Sequence, residues 1–354
     1  MSTLKIGVIG AGSIAKQHME AYKRNPLVEL YAVCDANEQR AREKAASYGA
    51  KHAVADYREL LALTELDAVS ICTWNRTHAP IAIAALDAGK HVLVEKPLCT
   101  TVAEALAIEE AVRRSCRLLQ VGFVRRYADT TSIVKSFLDA GELGPIYYAK
   151  ASNLRRLGNP GGWFSDSTRS GGGPLIDLGV HLIDLCWYLM GRPRVKSISG
   201  NTYRRLGNRA NVRHLGFYKA ADYDPGVNDV EDMANALIRF ANGASLAIDV
   251  SFTLHGKKDE SYIKLFGEKG GAEVAPDFTI VTERHDTILN ITPQFDASAT
   301  DYQAAFNNEI DHFVACALEG RESLSPVQDG VEIMKILCGI YESAAIGKEI
   351  VFDI

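Results

Sequence analysis

The stretch Ile6-Gly7-Val8-Ile9-Gly10-Ala11-Gly12-Ser13-Ile14-Ala15 decides the fold. Residues 5–9 read as a short buried strand, and a helical pattern over 13–24 begins right behind it. Gly10-x-Gly12-x-x-Ala15 falls between them. Gly10 allows a tight turn, Gly12 lets a pyrophosphate approach the backbone, and small Ala15 lets helix and strand pack closely. A glycine pattern alone also serves a strand-to-helix turn that binds nothing. Here the next apolar run, 29–35, ends on Asp35, 25 positions after Gly10. A carboxylate there accepts hydrogen bonds from both adenosine ribose hydroxyls and repels a 2'-phosphate, so NAD is expected in preference to NADP. Arg40 and Arg42 lie nearby and soften that preference. Ser13, Ile14 and Arg40 are counted with Gly10, Gly12 and Asp35 as cofactor-binding.

Outward from this unit, strand-like runs at 68–73, 91–95 and 118–123 alternate with helical patterns such as 102–115, the signature of βαβ units around a parallel sheet. After residue 123 the rhythm changes. A helix (131–140), a strand (146–153), a glycine-rich loop and a long helix (174–190) precede period-two strands at 195–203, 233–240, 244–253 and 261–267. Two helices, 304–318 and 327–346, follow. The expected fold is α/β: a Rossmann domain over 1–123, then an α+β domain over 124–354 with an open, mostly antiparallel sheet. A chain of 354 residues exceeds what one core comfortably fills, which agrees with two domains. Residues 204–229 break the strand pattern and carry Arg204, Arg205, Arg209, Arg213 and His214, either a solvated basic insertion or a lid or subunit contact.

Composition excludes several classes. With 39 Lys+Arg against 44 Asp+Glu, the net charge of -5 offers no general attraction to nucleic acid or anionic lipid. No apolar stretch approaches the roughly 20 residues a membrane-spanning helix needs, and no export signal precedes the first strand. Seven scattered cysteines without a Cys-x-x-Cys pair read as free thiols, and a cytoplasmic protein is expected.

Two further constellations carry chemistry. Thr73-Trp74-Asn75-Arg76-Thr77-His78 and Glu95-Lys96-Pro97 each follow a strand at its carboxyl end, where open α/β sheets bind ligands. The short polar groups of Thr73, Asn75 and His78 suit the nicotinamide half of a cofactor, or Thr77 simply caps a helix. The Lys96 ammonium can stabilise an alkoxide, Glu95 can accept from cofactor or substrate hydroxyls, and Pro97 fixes the turn. The second constellation is Ser170-Gly-Gly-Gly-Pro-Leu-Ile-Asp-Leu-Gly-Val-His-Leu-Ile-Asp. Pro174 suits a first helical position. Asp177, His181 and Asp184 then recur at helical spacing on one face, as a general base held by carboxylates or as a structural His-Asp pair. No further His or Cys run completes a metal site, so no metal is expected.

Together these motifs, with Val121-Gly122-Phe123 followed by Arg125-Arg126-Tyr127 and with Asp329-Gly330 and Ser343, resemble the glucose-fructose oxidoreductase and inositol dehydrogenase (Gfo/Idh/MocA) family over nearly the whole chain. The resemblance implies an NAD-dependent sugar or polyol oxidoreductase that assembles as a dimer or tetramer through its open sheet. It implies that Lys96, Asp177 and His181 surround the reacting carbinol and that Arg126 and Tyr127 line the substrate site. Where the family usually has proline this chain has Trp74, whose indole is then expected near nicotinamide or substrate. Arg155, Trp163 and Arg169 fall on the variable substrate side. The same family also implies an alternative, redox-neutral chemistry through a transient keto-sugar on tightly held NAD; a third reading is a non-catalytic sensor or partner subunit that kept the fold.

Overall fold

The computed structural model describes residues 3–294 and 302–353. The chain divides into two compact units. The first holds the described residues up to Ala128 together with 302–334, and the second holds 129–294 and 335–353.

In the first unit six strands, β1 (Leu4–Ile9), β2 (Val28–Cys34), β3 (His52–Val54), β4 (Ala68–Ile71), β5 (His91–Glu95) and β6 (Leu119–Gly122), form one parallel sheet in the order β3-β2-β1-β4-β5-β6. Helices α1 (Ser13–Arg24), α2 (Glu38–Tyr48), α3 (Tyr57–Leu61), α4 (Asn75–Asp87) and α5 (Val102–Ser115) make the crossovers. The order reverses between β1 and β4, the switch point at which such sheets bind ligands. Strands buried on both faces need no polar alternation, which is why β1, β4 and β5 read as mainly apolar runs.

The second unit begins with α6 (Asp129–Asp139) and β7 (Ile146–Leu154), followed by a short helix α7 (Ser167–Ser170). A π-turn, Leu175–Gly179, then runs into α8 (Val180–Leu189). Strands β8 (Val195–Tyr203), β9 (Met233–Phe240), β10 (Ser245–Ser251), β11 (Glu260–Gly267), β12 (Gly270–Ala275), β13 (Thr279–Arg284) and β14 (Thr287–Ile291) follow. After α9 (Tyr302–Glu319) and α10 (Val327–Ile346), β15 (Ile350–Val351) completes a nine-stranded sheet in the order β14-β13-β12-β11-β7-β10-β9-β8-β15. Among the described residues of this sheet only β7 and β10 pair in parallel, so the sheet is mixed though mostly antiparallel, as expected.

The expected boundary at residue 123, with everything after it in one domain, is corrected at two places. The segment up to Ala128 stays with the first unit, and α9 returns to it. The reason is apolar: Ile310, Phe313 and Val314 of α9 are buried in the same core as Ala15, Met19 and Tyr22 of α1. Each such side chain contributes about 1.5–3 kcal/mol when removed from water. The expected long helix over 174–190 is present, but its first turn is a π-turn. All seven cysteines are free thiols, and among the described residues no helix is long and apolar enough to cross a membrane.

Candidate active site

In the first unit the glycine turn is built as its residue types require. Gly10 has φ +89°, and a Cβ there would stand 2.5 Å from the Cys72 carbonyl oxygen. Gly12 has no heavy atom within 4 Å of the place its Cβ would take. It is also the N-cap of α1, and no side chain caps that helix. Asp35 Oδ2 accepts from the Ala11 backbone N–H at 2.9 Å, and Oδ1 accepts from Asn37 N–H at 2.8 Å. Arg40 stands 3.4 Å from the same carboxylate. Open space at Gly12, the uncapped start of a twelve-residue helix and a carboxylate just past β2 fit a dinucleotide with free ribose hydroxyls.

The βα turn after β4 departs from expectation in detail. Trp74, not Thr77, is the N-cap of α4, and the Thr77 hydroxyl donates to Trp74 O at 2.8 Å and lies 2.8 Å from the Thr73 hydroxyl. Trp74 itself is 44% exposed, whereas Asn75 is buried. His78 is buried with Nδ1 2.8 Å from Pro97 O and Nε2 3.1 Å from Thr73 O. Burial pushes its pKa down. A neutral imidazole donates through one nitrogen only, and the shorter contact identifies Pro97 O as its acceptor. Through that bond His78 ties the first turn of α4 to the cis Lys96–Pro97 turn.

Under that second turn lies a residue the sequence reading passed over. His18, on the buried face of α1, places Nε2 2.8 Å from Glu95 Oε1 and Nδ1 3.2 Å from Ser70 Oγ. Tyr22 Oη is 2.5 Å from the same Ser70 oxygen. Glu95 Oε2 accepts from the Lys96 backbone N–H at 3.2 Å. The Glu95 carboxylate therefore stays inside the unit and anchors the turn from which the half-buried Lys96 projects. A histidine in register with Ala15, Met19 and Tyr22 on an amphipathic helix was the available signal.

Arg126 and Tyr127, expected to line a substrate site, have other occupations. The Arg126 side chain is buried, pairs with Asp329 and donates to Leu324 O at 2.8 Å. Tyr127 Oη is 3.0 Å from Ser325 Oγ. Both hold the 302–334 segment onto the first unit.

The second unit presents its own constellation. Between Gly172 and Met190 every residue is buried except Asp177 and His181, which are partly exposed. Asp184 is buried, so the expected three-residue face narrows to two. Around the preceding loop, Trp163 stacks on Phe164 at 3.9 Å between ring centres. Arg169 pairs with Asp166 at 2.9 Å and with Asp222 at 3.4 Å, and Arg155 donates to Gly158 O at 3.3 Å. Residues 204–229 pack here: Trp163 N–H donates to Asp222 Oδ2 at 3.0 Å, and Asn159 Nδ2 to Asn228 Oδ1 at 2.8 Å. Among the described residues no three His, Cys, Asp or Glu side chains are grouped to hold a metal ion.

Comparison with known proteins adds the following. Residues 4–123 match the GFO_IDH_MocA model, described as an oxidoreductase family with an NAD-binding Rossmann fold, and residues 132–273 match the GFO/IDH/MocA C-terminal domain. The chain is 31% identical to D-glucoside 3-dehydrogenase of Escherichia coli (strain K12) over 353 residues, 99% of this chain and 97% of that protein. It is 29% identical to levoglucosan dehydrogenase of Pseudarthrobacter phenanthrenivorans over 76% of this chain and 73% of that one. A solved structure described as levoglucosan dehydrogenase in complex with NADH superposes with a TM-score of 0.84 at 25% identity, covering 100% of both chains.

Proposed function

Because the chain belongs to the Gfo/Idh/MocA family of NAD-binding oxidoreductases, we propose that it interconverts a secondary alcohol and a ketone on a cyclic sugar, sugar derivative or inositol. The observation that carries this reading is that Asp177 and His181 alone are partly exposed in an otherwise buried segment, in a chain that also carries an NAD-binding turn. A polar pair left accessible where all neighbours are buried is what proton transfer to a ligand needs. The relatives named for glucoside and levoglucosan oxidation support the sugar class.

NAD, when bound, supplies the hydride acceptor. Gly10, Gly12, Ser13, Ile14 and Asp35 hold its adenosine and pyrophosphate portion. His181 takes the hydroxyl proton of the carbinol, Asp177 orients the imidazole, and the Lys96 ammonium stabilises the alkoxide. The exposed Trp74 indole offers an apolar face to a sugar ring. The reverse reaction uses the same groups in the opposite order.

The test is an NADH fluorescence titration of the purified protein, followed by NAD reduction across inositols, aldoses, anhydrosugars and glycosides. One sugar or polyol class reducing NAD supports the reading. Tight NADH binding with no polyol turned over refutes it. His181→Ala should keep NADH affinity and lose about 100- to 10,000-fold in turnover, the range for a positioned acid-base group; full turnover in that variant refutes the assignment of His181.

A further inference from the structure

A helix start leaves its first backbone N–H groups without partners inside the helix, and the start that carries Asp177 and His181 meets this need in an unusual way. Gly173 N–H donates to Glu231 Oε2 at 2.9 Å, and Leu175 N–H donates to Glu231 Oε1 at 3.1 Å. Pro174 between them has no N–H. The Ile176 backbone lies against the Tyr341 hydroxyl, and that hydroxyl donates to Glu231 Oε1 at 2.9 Å. Asp177 N–H makes the first bond within the turn, to Gly173 O at 3.1 Å. One buried carboxyl group and one phenol thus cover the whole start. The glycine run makes this possible: a Cβ on Gly172 would stand 2.0 Å from Tyr341 Oη, and one on Gly173 would stand 2.4 Å from Glu231 O.

The π-turn gives this bracket its importance. The Val180 backbone N–H reaches back five residues to Leu175 O, so everything before it is one residue out of α-helical register with α8. The placement of Asp177 relative to His181 is then not dictated by regular helix hydrogen bonds. It depends on what holds the N-terminal end of the turn.

We propose that Glu231, aided by Tyr341, is a positioning residue for the catalytic pair: its carboxyl group fixes the π-turn and thereby aims Asp177 at His181. This rests on the reading of Asp177 and His181 as catalytic. Glu231 touches no reacting atom. Its influence passes through the Gly173 and Leu175 amides.

The test uses the full chain with Glu231→Gln, Glu231→Asp and Tyr341→Phe. Glutamine keeps one acceptor but turns an NH2 group toward a backbone N–H, while aspartate keeps both acceptors at a shorter reach. For folded protein, the expected result is an NADH affinity within about twofold of the parent in all three. Turnover on the best polyol should fall about tenfold or more in Glu231→Gln, with KM little changed, and be partly restored in Glu231→Asp. In protein labelled at histidine, the His181 imidazole resonances should move in Glu231→Gln, while those of His18 and His78 in the other unit stay. Glu231→Gln with parental turnover and unmoved His181 resonances overturns the proposal. So does a fall in turnover that only tracks the unfolded fraction. If the parent turns over no polyol, the functional reading fails by itself, and the His181 resonances still decide the bracket.

Discussion

A matched pair of substitutions separates the two jobs of the glycine turn. In Gly10→Ala the new methyl meets the Cys72 carbonyl oxygen at 2.5 Å and its carbon at 2.7 Å, backbone atoms just beyond β4 that cannot swing aside. The residue must also hold φ +89°. Left-handed backbone costs an L-residue about 1–2 kcal/mol, and forcing atoms into a packed site costs about 1–3 kcal/mol. The expected loss is about 2–5 kcal/mol, a large part of the 5–15 kcal/mol that typically separates folded from unfolded protein. In Gly12→Ala the methyl enters open space at φ -77°, so stability should stay within about 0.5 kcal/mol of the parent. On the proposed placement of the pyrophosphate the same methyl stands in its way, and NADH affinity should fall about tenfold or more, which is about 1.4 kcal/mol. Urea unfolding and NADH fluorescence titration of both variants read the two effects. Parental NADH affinity in Gly12→Ala refutes the placement of the pyrophosphate, and an unchanged urea midpoint in Gly10→Ala refutes the steric argument.

Three other outcomes are expected. Asp35→Ser removes the charged acceptor of the Ala11 and Asn37 amides; losing a hydrogen bond to a charged group costs about 1.5–3 kcal/mol. NAD should bind about ten- to a hundredfold more weakly while the gap to NADP narrows, as comparative KM values will show. Arg126→Ala removes one partner of the buried Arg126–Asp329 ion pair and should cost about 3–5 kcal/mol in denaturation; a normal stability with a raised sugar KM would return Arg126 to the substrate site. Burial pushes the Glu231 carboxyl above its ordinary value of 4.5, against the pull of the Gly173 and Leu175 amides. An acid raised in the folded state holds its proton more tightly there, so this contribution is complete below about pH 4.5 and is lost as pH climbs through the folded pKa. The stability advantage of the parent over Glu231→Gln should therefore shrink from mildly acidic toward neutral pH in denaturant titrations, and a growing advantage would contradict the burial argument.

The parallel sheet was legible because buried strands and amphipathic helices alternate at regular spacing, and Gly10, Gly12 and Asp35 each have a local reason to be where they are. Strand β3 was not, since three half-buried residues carry no period. Nor was β14, whose first four residues are exposed and show no alternation. The spacing of Asp177, His181 and Asp184 was read with 3.6 residues per turn, an assumption the π-turn breaks; nothing in Leu175–Gly179 announces an i to i+5 bond. Glu231 escaped because its partners Gly173 and Leu175 are more than fifty positions away and it follows a long irregular segment. The helical pattern of α9 was plain, but an apolar face does not say which core it joins.

The return of residues 302–334 to the first unit bears on how such enzymes can be recombined. A chimera cut behind β6 would look natural from the sequence, yet it would hand the new partner a nucleotide-binding fold without Ile310, Phe313 and Val314, and with Arg126 separated from Asp329. Grafting a foreign substrate half onto this chain therefore requires two junctions, one near Ala128 and one inside α10 near Met334. Inheritance of the nucleotide-binding unit is split between two separated stretches of the sequence.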